Sequence, residues 1–212
     1  MEKTSKQVAW VTGAGKGIGR ALAKRLSEEG WVVAVSARTK DDLATLRDEA
    51  TTDRVHAFPL DITDAAATEE TIEIIETELG PLSLVVLNAG TYFPMSADTF
   101  DLKKFRLLVE TNLIGTANSL AYVMPKFIDR KSGHIAVVGS LAGYRGLPTS
   151  AAYGATKAGL INMCEALRPE LKHHGVRLTL INPGFVETPL TDKNGFPMPF
   201  LIPVNEAAEH IV

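Results

Sequence analysis

The sequence is nearly without cysteine. Cys164 is the only one in 212 residues, so no intramolecular disulfide can form, and a reducing cytoplasm is the expected setting. Long apolar runs are missing too. None approaches the roughly 18 consecutive apolar residues of a membrane helix, so no membrane segment is expected. Basic runs are also absent: 22 Lys and Arg stand against 25 Asp and Glu, for a formal net charge of −3. With no basic stripe to meet a phosphate backbone, nucleic acid is not an expected partner. Met1 to Gln7 is polar and charged, which argues against a signal peptide. No metal-ligating set is read. What the chain does have is apolar content: 45% of residues are hydrophobic, enough for one substantial core. A single domain over residues 1–212 is therefore expected.

Short apolar runs alternate with longer amphipathic ones. Val8–Val11, Trp31–Val35, Val55–Leu60, Leu84–Leu87, His134–Val138 and Val176–Ile181 read as strands. Between them, Ile18–Glu29, Asp41–Ala50, Asp64–Leu79, a long Asp101–Ile128 and Ser150–His173 read as helices, with Ile18, Leu22 and Leu26 on one face of the first. Gly80-Pro81 is a strong stop signal. Near-continuous apolar strands alternating with helices argue for an α/β fold, a single doubly wound parallel sheet of Rossmann type with helices on both faces. Residues 183–204 are proline-rich and carry several large aromatics, the composition of a substrate-capping loop. Asn205–Val212 reads as the opening of a helix after which a further strand would be expected, so the final C-terminal strand is expected to be absent.

Thr12-Gly13-Ala14-Gly15-Lys16-Gly17-Ile18-Gly19 joins the first strand to the first helix. Glycines tolerate positive φ and let a ligand approach the backbone, and the following helix offers free N–H groups and a positive dipole end to a pyrophosphate. A glycine cluster in this strand-to-helix context points to a dinucleotide, although its spacing is G-x-x-x-G-x-G. The end of the second strand distinguishes the two nicotinamide dinucleotides: an acid suits a ribose 2′-hydroxyl, a cation a 2′-phosphate. Here Val35-Ser36-Ala37-Arg38 has no carboxylate, Arg38 supplies a forked donor, and Lys16 offers a second positive charge. NADP(H) is the expected cofactor.

Tyr153 and Lys157 stand at i and i+4, on one helical face. A phenol has a pKa near 10, and lowering it by about three units needs roughly 4 kcal/mol. A cation about 4 Å away at an effective dielectric near 20 supplies about that much. Ser140 ends a strand, and in an open parallel sheet ligands bind at the carboxyl ends of strands. There it can hydrogen-bond a substrate oxygen. Asn88-Ala89-Gly90 and Pro183-Gly184 end two further strands on the same rim. Asn112 falls mid-helix, where propensity disfavours it; a buried Asn there either bonds backbone or holds water.

In this order and at these intervals, Thr12 to Gly19, Asp61, Asn88-Ala89-Gly90, Asn112, Ser140, Tyr153 with Lys157, and Pro183-Gly184 with Thr188 resemble the short-chain dehydrogenase/reductase family over essentially the whole chain. The resemblance implies that Tyr153 is the acid/base and Ser140 the carbonyl-polarising hydroxyl. It implies that Lys157 binds the nicotinamide ribose and depresses the tyrosine pKa, and that Asn112 holds a water linking the lysine to solvent. It further implies that Asp61 and Ile62 contact adenine, that Thr188 contacts the carboxamide, and that the protein is a homodimer or homotetramer built on the helices 101–128 and 150–173. Leu87 departs from many relatives, which have a second asparagine there.

The expected activity is hydride transfer between nicotinamide and a small-molecule carbonyl or secondary alcohol, such as a 3-oxoacyl-type or other ketone. Tyr92, Tyr144 and Phe185, with Ser140, are candidate substrate contacts, and Leu141, Leu147 and the aromatic stretch Phe196–Phe200 extend an apolar pocket. The alternative is a dinucleotide-sensing regulatory protein on the same fold. Such a protein would often have lost the tyrosine or the lysine, and here all four catalytic candidates are intact.

Overall fold

The structure, a computed structural model, describes residues 7–211. Met1–Lys6, on which the signal-peptide reading rests, and Val212 lie outside them. Six strands, β1 (Val8–Thr12), β2 (Val32–Ser36), β3 (Val55–Ala57), β4 (Leu82–Leu87), β5 (His134–Val138) and β6 (Arg177–Ile181), form one parallel sheet in the order β3-β2-β1-β4-β5-β6. The order reverses between β1 and β4, and the crevice above that point is where such sheets bind ligands. Val11 pairs with both Val35 and Val86, Leu87 with Val137, and Val138 with Ile181. This register brings the residues just past β1, β4, β5 and β6 onto one rim.

Every residue of β1 is buried, because both faces of the sheet are covered. Val8 and Trp10 face one core, completed by α3 (Ala65–Leu79), α5 (Gly115–Arg130) and α6 (Ala151–His173); Ala9 and Val11 face the other, completed by α1 (Gly17–Glu28) and α2 (Lys40–Glu49). Trp10 keeps its polar edge satisfied by donating Nε1–H to Ser36 Oγ at 2.9 Å, as a buried indole should. Asp64 caps α3 by accepting from Ala67 N at 3.0 Å.

The third strand is shorter than the apolar run suggests. Pro59 has no N–H to donate, yet the run stays attached to β2, with Phe58 N donating to Val35 O at 2.9 Å and Leu60 N to Ala37 O at 3.1 Å. The fourth strand starts earlier, at Leu82, whose N–H is also held by Glu76 Oε1 at 3.0 Å.

The larger departure concerns the long helix expected over 101–128. It is two α-helices, α4 (Leu102–Val109) and α5, joined by a turn of π-helix at Glu110–Ile114. Single π-turns inside helices concentrate at functional positions, and Asn112 sits in this one.

The segment after β6 has structure of its own. Val186 bridges Ile202, with Glu187 N donating to Ile202 O at 3.0 Å and Ile202 N to Phe185 O at 3.1 Å. Thr191–Lys193 makes a short helical turn between them. A last helix, α7 (Val204–Glu209), buries Ala207 and Ala208, and Arg25 of α1 lies 3.7 Å from Glu209. Among the described residues β6 is an edge of the sheet.

Candidate active site

The glycine turn has the shape a pyrophosphate needs. Gly13 and Gly17 have φ of +65° and +55°, where a side chain is strained. A Cβ on Gly13 would lie 2.6 Å from Ala89 Cα, and one on Gly17 3.1 Å from Thr188 Cγ2. The turn is held from β4. Asn88 Nδ2 donates to Thr12 O and Gly13 O at 3.0 and 3.2 Å, while Thr12 Oγ1 accepts from Asn88 N and Ala89 N, both at 3.1 Å. The Asn88 amide, expected among the cofactor contacts, is thus engaged in shaping the turn. No side chain caps the start of α1, which leaves its first N–H groups for an anion. A cradle that Cβ atoms would fill, beneath an uncapped helix start, fits a dinucleotide.

At the end of β2 the two expected cations differ. Arg38 is exposed and pairs with no other described residue. Lys16 is exposed but already shared, its Nζ lying 3.5 Å from Asp42 Oδ2. Ala37 packs beneath, its Cβ 3.3 Å from where a Cβ on Gly15 would stand. After β3, Asp61 Oδ1 accepts from Thr63 N at 3.0 Å and Thr63 Oγ1 at 2.8 Å. Ile62 is buried, and its carbonyl accepts from Asn118 Nδ2 at 3.0 Å.

Ile18, Asn88, Gly90, Ser140, Tyr153, Lys157, Pro183, Gly184 and Thr188 come together around a crevice of about 110 Å³. Ser140 and Tyr153 also line a second, larger cavity of about 440 Å³, so they stand where the two meet. Ser140 starts the helical turn Leu141–Gly143, its Oγ accepting from Ala142 N at 3.1 Å; a hydroxyl that accepts from the backbone keeps its own hydrogen to give. Lys157 is 4% exposed, and its ammonium donates to Val138 O at 2.8 Å. It lies 5.6 Å from the centre of the Tyr153 ring.

Burial dominates the protonation of this pair. It pushes the Tyr153 phenol above its ordinary value, with the Ser140 hydroxyl drawing it back and Tyr92 adding to the rise. It also pushes Lys157 down to about 8. From their spacing alone, the lysine charge is expected to lower the phenol. In this site desolvation is the larger effect on both groups, and the ammonium is directed to a backbone carbonyl.

Asn112 is fully buried and bonds backbone. Its Oδ1 accepts from Thr91 N at 2.7 Å, and its Nδ2 donates to Thr91 O at 3.0 Å and Thr156 Oγ1 at 3.1 Å. Its own carbonyl accepts from Thr116 Oγ1 at 2.9 Å. The carboxamide is therefore occupied in tying the loop after β4 to α6.

Of the expected substrate contacts, Tyr92 and Phe185 join Ser140 on the larger cavity. Tyr144 does not line it; the ring is exposed and its hydroxyl accepts from Asn182 Nδ2 at 2.7 Å. Asn182 is a site residue that the sequence pattern does not single out. Its Oδ1 accepts from Ser140 N at 3.0 Å, so one amide grips both ends of the loop that carries Ser140. A polar residue at the end of β6, next to Pro183-Gly184, is the available signal. Lys193 is not singled out by the pattern either. Its ammonium donates to Tyr92 O at 3.0 Å and lies 4.8 Å from the centre of the Phe93 ring, fastening the segment after β6 to the loop after β4.

Among the described residues no helix is long and apolar enough to cross a membrane, and no group of His, Cys, Asp and Glu could hold a metal.

A family model described as short chain dehydrogenase matches residues 7–196. An uncharacterized oxidoreductase of Myxococcus xanthus is 44% identical over 99% of this chain and 83% of its own. One from Staphylococcus aureus is 31% identical over 90% of this chain and 83% of its own. Among solved structures, an actinorhodin polyketide ketoreductase variant with NADPH superposes with a TM-score of 0.89 at 27% identity, over 100% of this chain and 90% of that one. A serine dehydrogenase complexed with NADP+ superposes at 0.88, also 27% identical, over 97% and 87%. The sequence match, the parallel sheet and the Ser140, Tyr153 and Lys157 rim agree: the chain belongs to the short-chain dehydrogenase family of oxidoreductases.

Proposed function

We propose that this protein is an NADP(H)-dependent oxidoreductase acting on a small-molecule ketone or secondary alcohol. One observation carries the reading: Ser140 and Tyr153 stand at the junction between a crevice that reaches Ile18, at the start of α1, and a mainly apolar cavity large enough for a substrate. A reduced nicotinamide in the crevice would supply the hydride. The Ser140 hydroxyl donates to the carbonyl oxygen of the substrate and holds it. Tyr153 gives that oxygen its proton, and a phenol whose pKa burial has raised is well poised to remain protonated until then. Lys157 binds the ribose and serves the tyrosine as a nearby charge. Arg38 answers the 2′-phosphate, its guanidinium being unengaged. The nucleotides bound to two structural neighbours, NADPH with the ketoreductase and NADP+ with the serine dehydrogenase, support that choice. The named substrates of those neighbours, a polyketide and serine, are too unlike to fix the substrate here.

In this reading residues 1–212 are one domain with 183–204 capping the substrate, in a homodimer or homotetramer that packs through the helices of 101–128 and 150–173. The protein works in the cytoplasm, where a lone buried thiol such as Cys164 is at home.

Tyr153→Phe tests the assignment. Turnover of a reduced ketone should fall by about 10²–10⁴-fold, while NADPH binding followed by nucleotide fluorescence stays within about twofold of wild type. Activity that survived the change would remove Tyr153 from the mechanism. A dinucleotide sensor would instead bind NADPH and consume none of it over a broad carbonyl panel.

A further inference from the structure

We propose that the substrate is an uncharged ketone, or the matching alcohol, with a bulky apolar group and a second oxygen near the reacting carbon, and that the Tyr92 hydroxyl hydrogen-bonds that second oxygen. The inference rests on the hydride-transfer reading and concerns what occupies the larger cavity.

The cavity is within the size range that holds a drug-sized ligand. Leu141, Leu147, Phe185, Leu190 and Phe196 dominate its wall, and among the described residues no Asp, Glu, Lys, Arg or His lines it. A charged substrate would enter with no counter-charge, at a desolvation cost that nothing returns. Lys193 does not change this: its ammonium is held by the Tyr92 carbonyl and stacked on Phe93, 4.8 Å from the ring centre.

Tyr92 stands apart from the other polar residues on the wall, Ser140, Ser150, Tyr153, Thr191 and Asn194. The residue is 6% exposed, and its hydroxyl is the one buried side-chain nitrogen or oxygen without a partner among the described residues. Such orphans are rare in folded chains and call for a physical reason. Packing is not that reason, since a phenylalanine ring would pack as well without the cost of an unmade hydrogen bond. Looseness is not the reason either. Its backbone is fixed on both sides, by Asn112 on Thr91 and by Lys193 on its own carbonyl. The ring meets the Tyr153 ring edge-on, with centroids 5.2 Å apart and planes at 71°. The unpaired hydroxyl therefore belongs to a rigid ring touching the acid/base, on the wall of the cavity where the reacting carbon must lie. A ligand oxygen about three bonds from that carbon, as in a 1,3-dicarbonyl compound, would satisfy it. Ser140 and Ser150 add hydroxyls to the same wall.

The test uses matched ketones with the intact protein. Benzoylacetone and butyrophenone share a ring and chain and differ by the second oxygen; ethyl benzoylacetate and benzoylacetate differ by charge. Wild type should reduce benzoylacetone with kcat/KM about tenfold or more above butyrophenone, the value of one hydrogen bond, and should favour the ester over the carboxylate. Tyr92→Phe should erase the first preference, bringing the ratio of kcat/KM for benzoylacetone over butyrophenone to about one. Calorimetric titration of the NADP+-loaded protein should rank the four ligands in the same order. An equal loss on both ketones in Tyr92→Phe would make the hydroxyl structural and overturn the proposal. So would a wild-type preference for the carboxylate or for the simple ketone, which would leave the hydride-transfer reading standing. If the ligands bind in the expected order and none is reduced, the cavity inference is supported and the hydride-transfer reading is the one that fails.

Discussion

Asn112 and Thr91 are paired like two strands of a sheet. The carboxamide oxygen accepts from Thr91 N at 2.7 Å, and the amide nitrogen returns a bond to Thr91 O at 3.0 Å. A side chain thus takes the place of a neighbouring backbone for the loop that leaves β4, and it does so from inside the π-turn Glu110–Ile114. The extra residue of the π-turn is what delivers the amide to this position. Gly115 comes next because a Cβ there would lie 2.6 Å from Ile62 Cδ1.

Asn112→Ala should therefore act on both stability and catalysis. It strips partners from two backbone groups and from Thr156 Oγ1, a loss of about 2 kcal/mol. It also frees Thr91 and, next to it, Tyr92. Urea denaturation should show the lower stability without a change in m-value. The KM for substrate should rise more than the KM for NADPH. A variant as stable as wild type would mean that the pairing contributes nothing.

Arg38 makes a different kind of prediction, because it is exposed and its side chain forms no hydrogen bond or ion pair with another described residue. Arg38→Asp should leave the melting temperature within about 1 °C of wild type, as surface changes away from contacts do. NADPH affinity should fall by about a hundredfold, since a forked charge-assisted contact becomes a repulsion. NADH should be affected by much less. Fluorescence titration with both nucleotides reads the ratio. A parallel loss for the two would place the 2′-phosphate elsewhere, with Lys16 as the next candidate despite its partner Asp42.

Lys157 ties stability to pH. Burial lowers it from 10.5 to about 8, so the unfolded chain holds this proton more tightly than the folded one. Below pH 8 the folded protein bears the full cost of a buried ammonium, roughly 3 kcal/mol net of its hydrogen bond to Val138. Between pH 8 and 10.5 the folded state has released the proton while the unfolded state still holds it, so this cost disappears as pH rises. Lys157→Met should then be more stable than wild type by about 3 kcal/mol at pH 7, with the gap closing by pH 10.5. Activity has the opposite slope: kcat/KM for reduction should fall as pH passes 8 and the lysine charge is lost. Denaturation series at several pH values, alongside a pH–rate profile, check both limbs. A stability gap that does not vary with pH would mean that folding leaves the lysine pKa where it stands in the unfolded chain.

The sheet is legible in the sequence because burial on both faces writes itself as continuous apolar runs, as in Val8–Val11 and Val32–Val35. The rim residues are legible because small and polar residues mark where each strand stops: Gly13, Asn88, Ser140, Pro183. The π-turn is not, since its cause is a pairing with Thr91, 21 residues away, and the local pattern through 101–128 is that of an ordinary helix. Lys16 reads as a free cation because Asp42, in another helix, is brought beside it only by the fold. Tyr144 reads as a pocket residue from its place near Ser140. Asn182, more distant in the chain, draws its hydroxyl away.

Asn182 supplies the last prediction. Its amide holds Ser140 N with one end and the Tyr144 hydroxyl with the other, and a Cβ on Gly139 would collide with it. Ser140 must sit within hydrogen-bond reach of a substrate oxygen, and a displacement of about 1 Å at such a group can cost about a hundredfold in rate. Asn182→Ala should lower kcat by about 10- to 100-fold while leaving the NADPH dissociation constant unchanged, because the glycine turn and α1 are held independently by Asn88. Tyr144→Phe removes only the outer of the two bonds and should reduce kcat by about threefold or less. Asn182→Asp keeps the acceptor for Ser140 N and should recover most of the rate, which a merely structural role of the amide would not produce. If the alanine variant turns over at the wild-type rate, the loop holds Ser140 by its own contacts, through Leu141 N to Pro183 O at 3.1 Å and Gly143 N to Ser140 O at 3.0 Å.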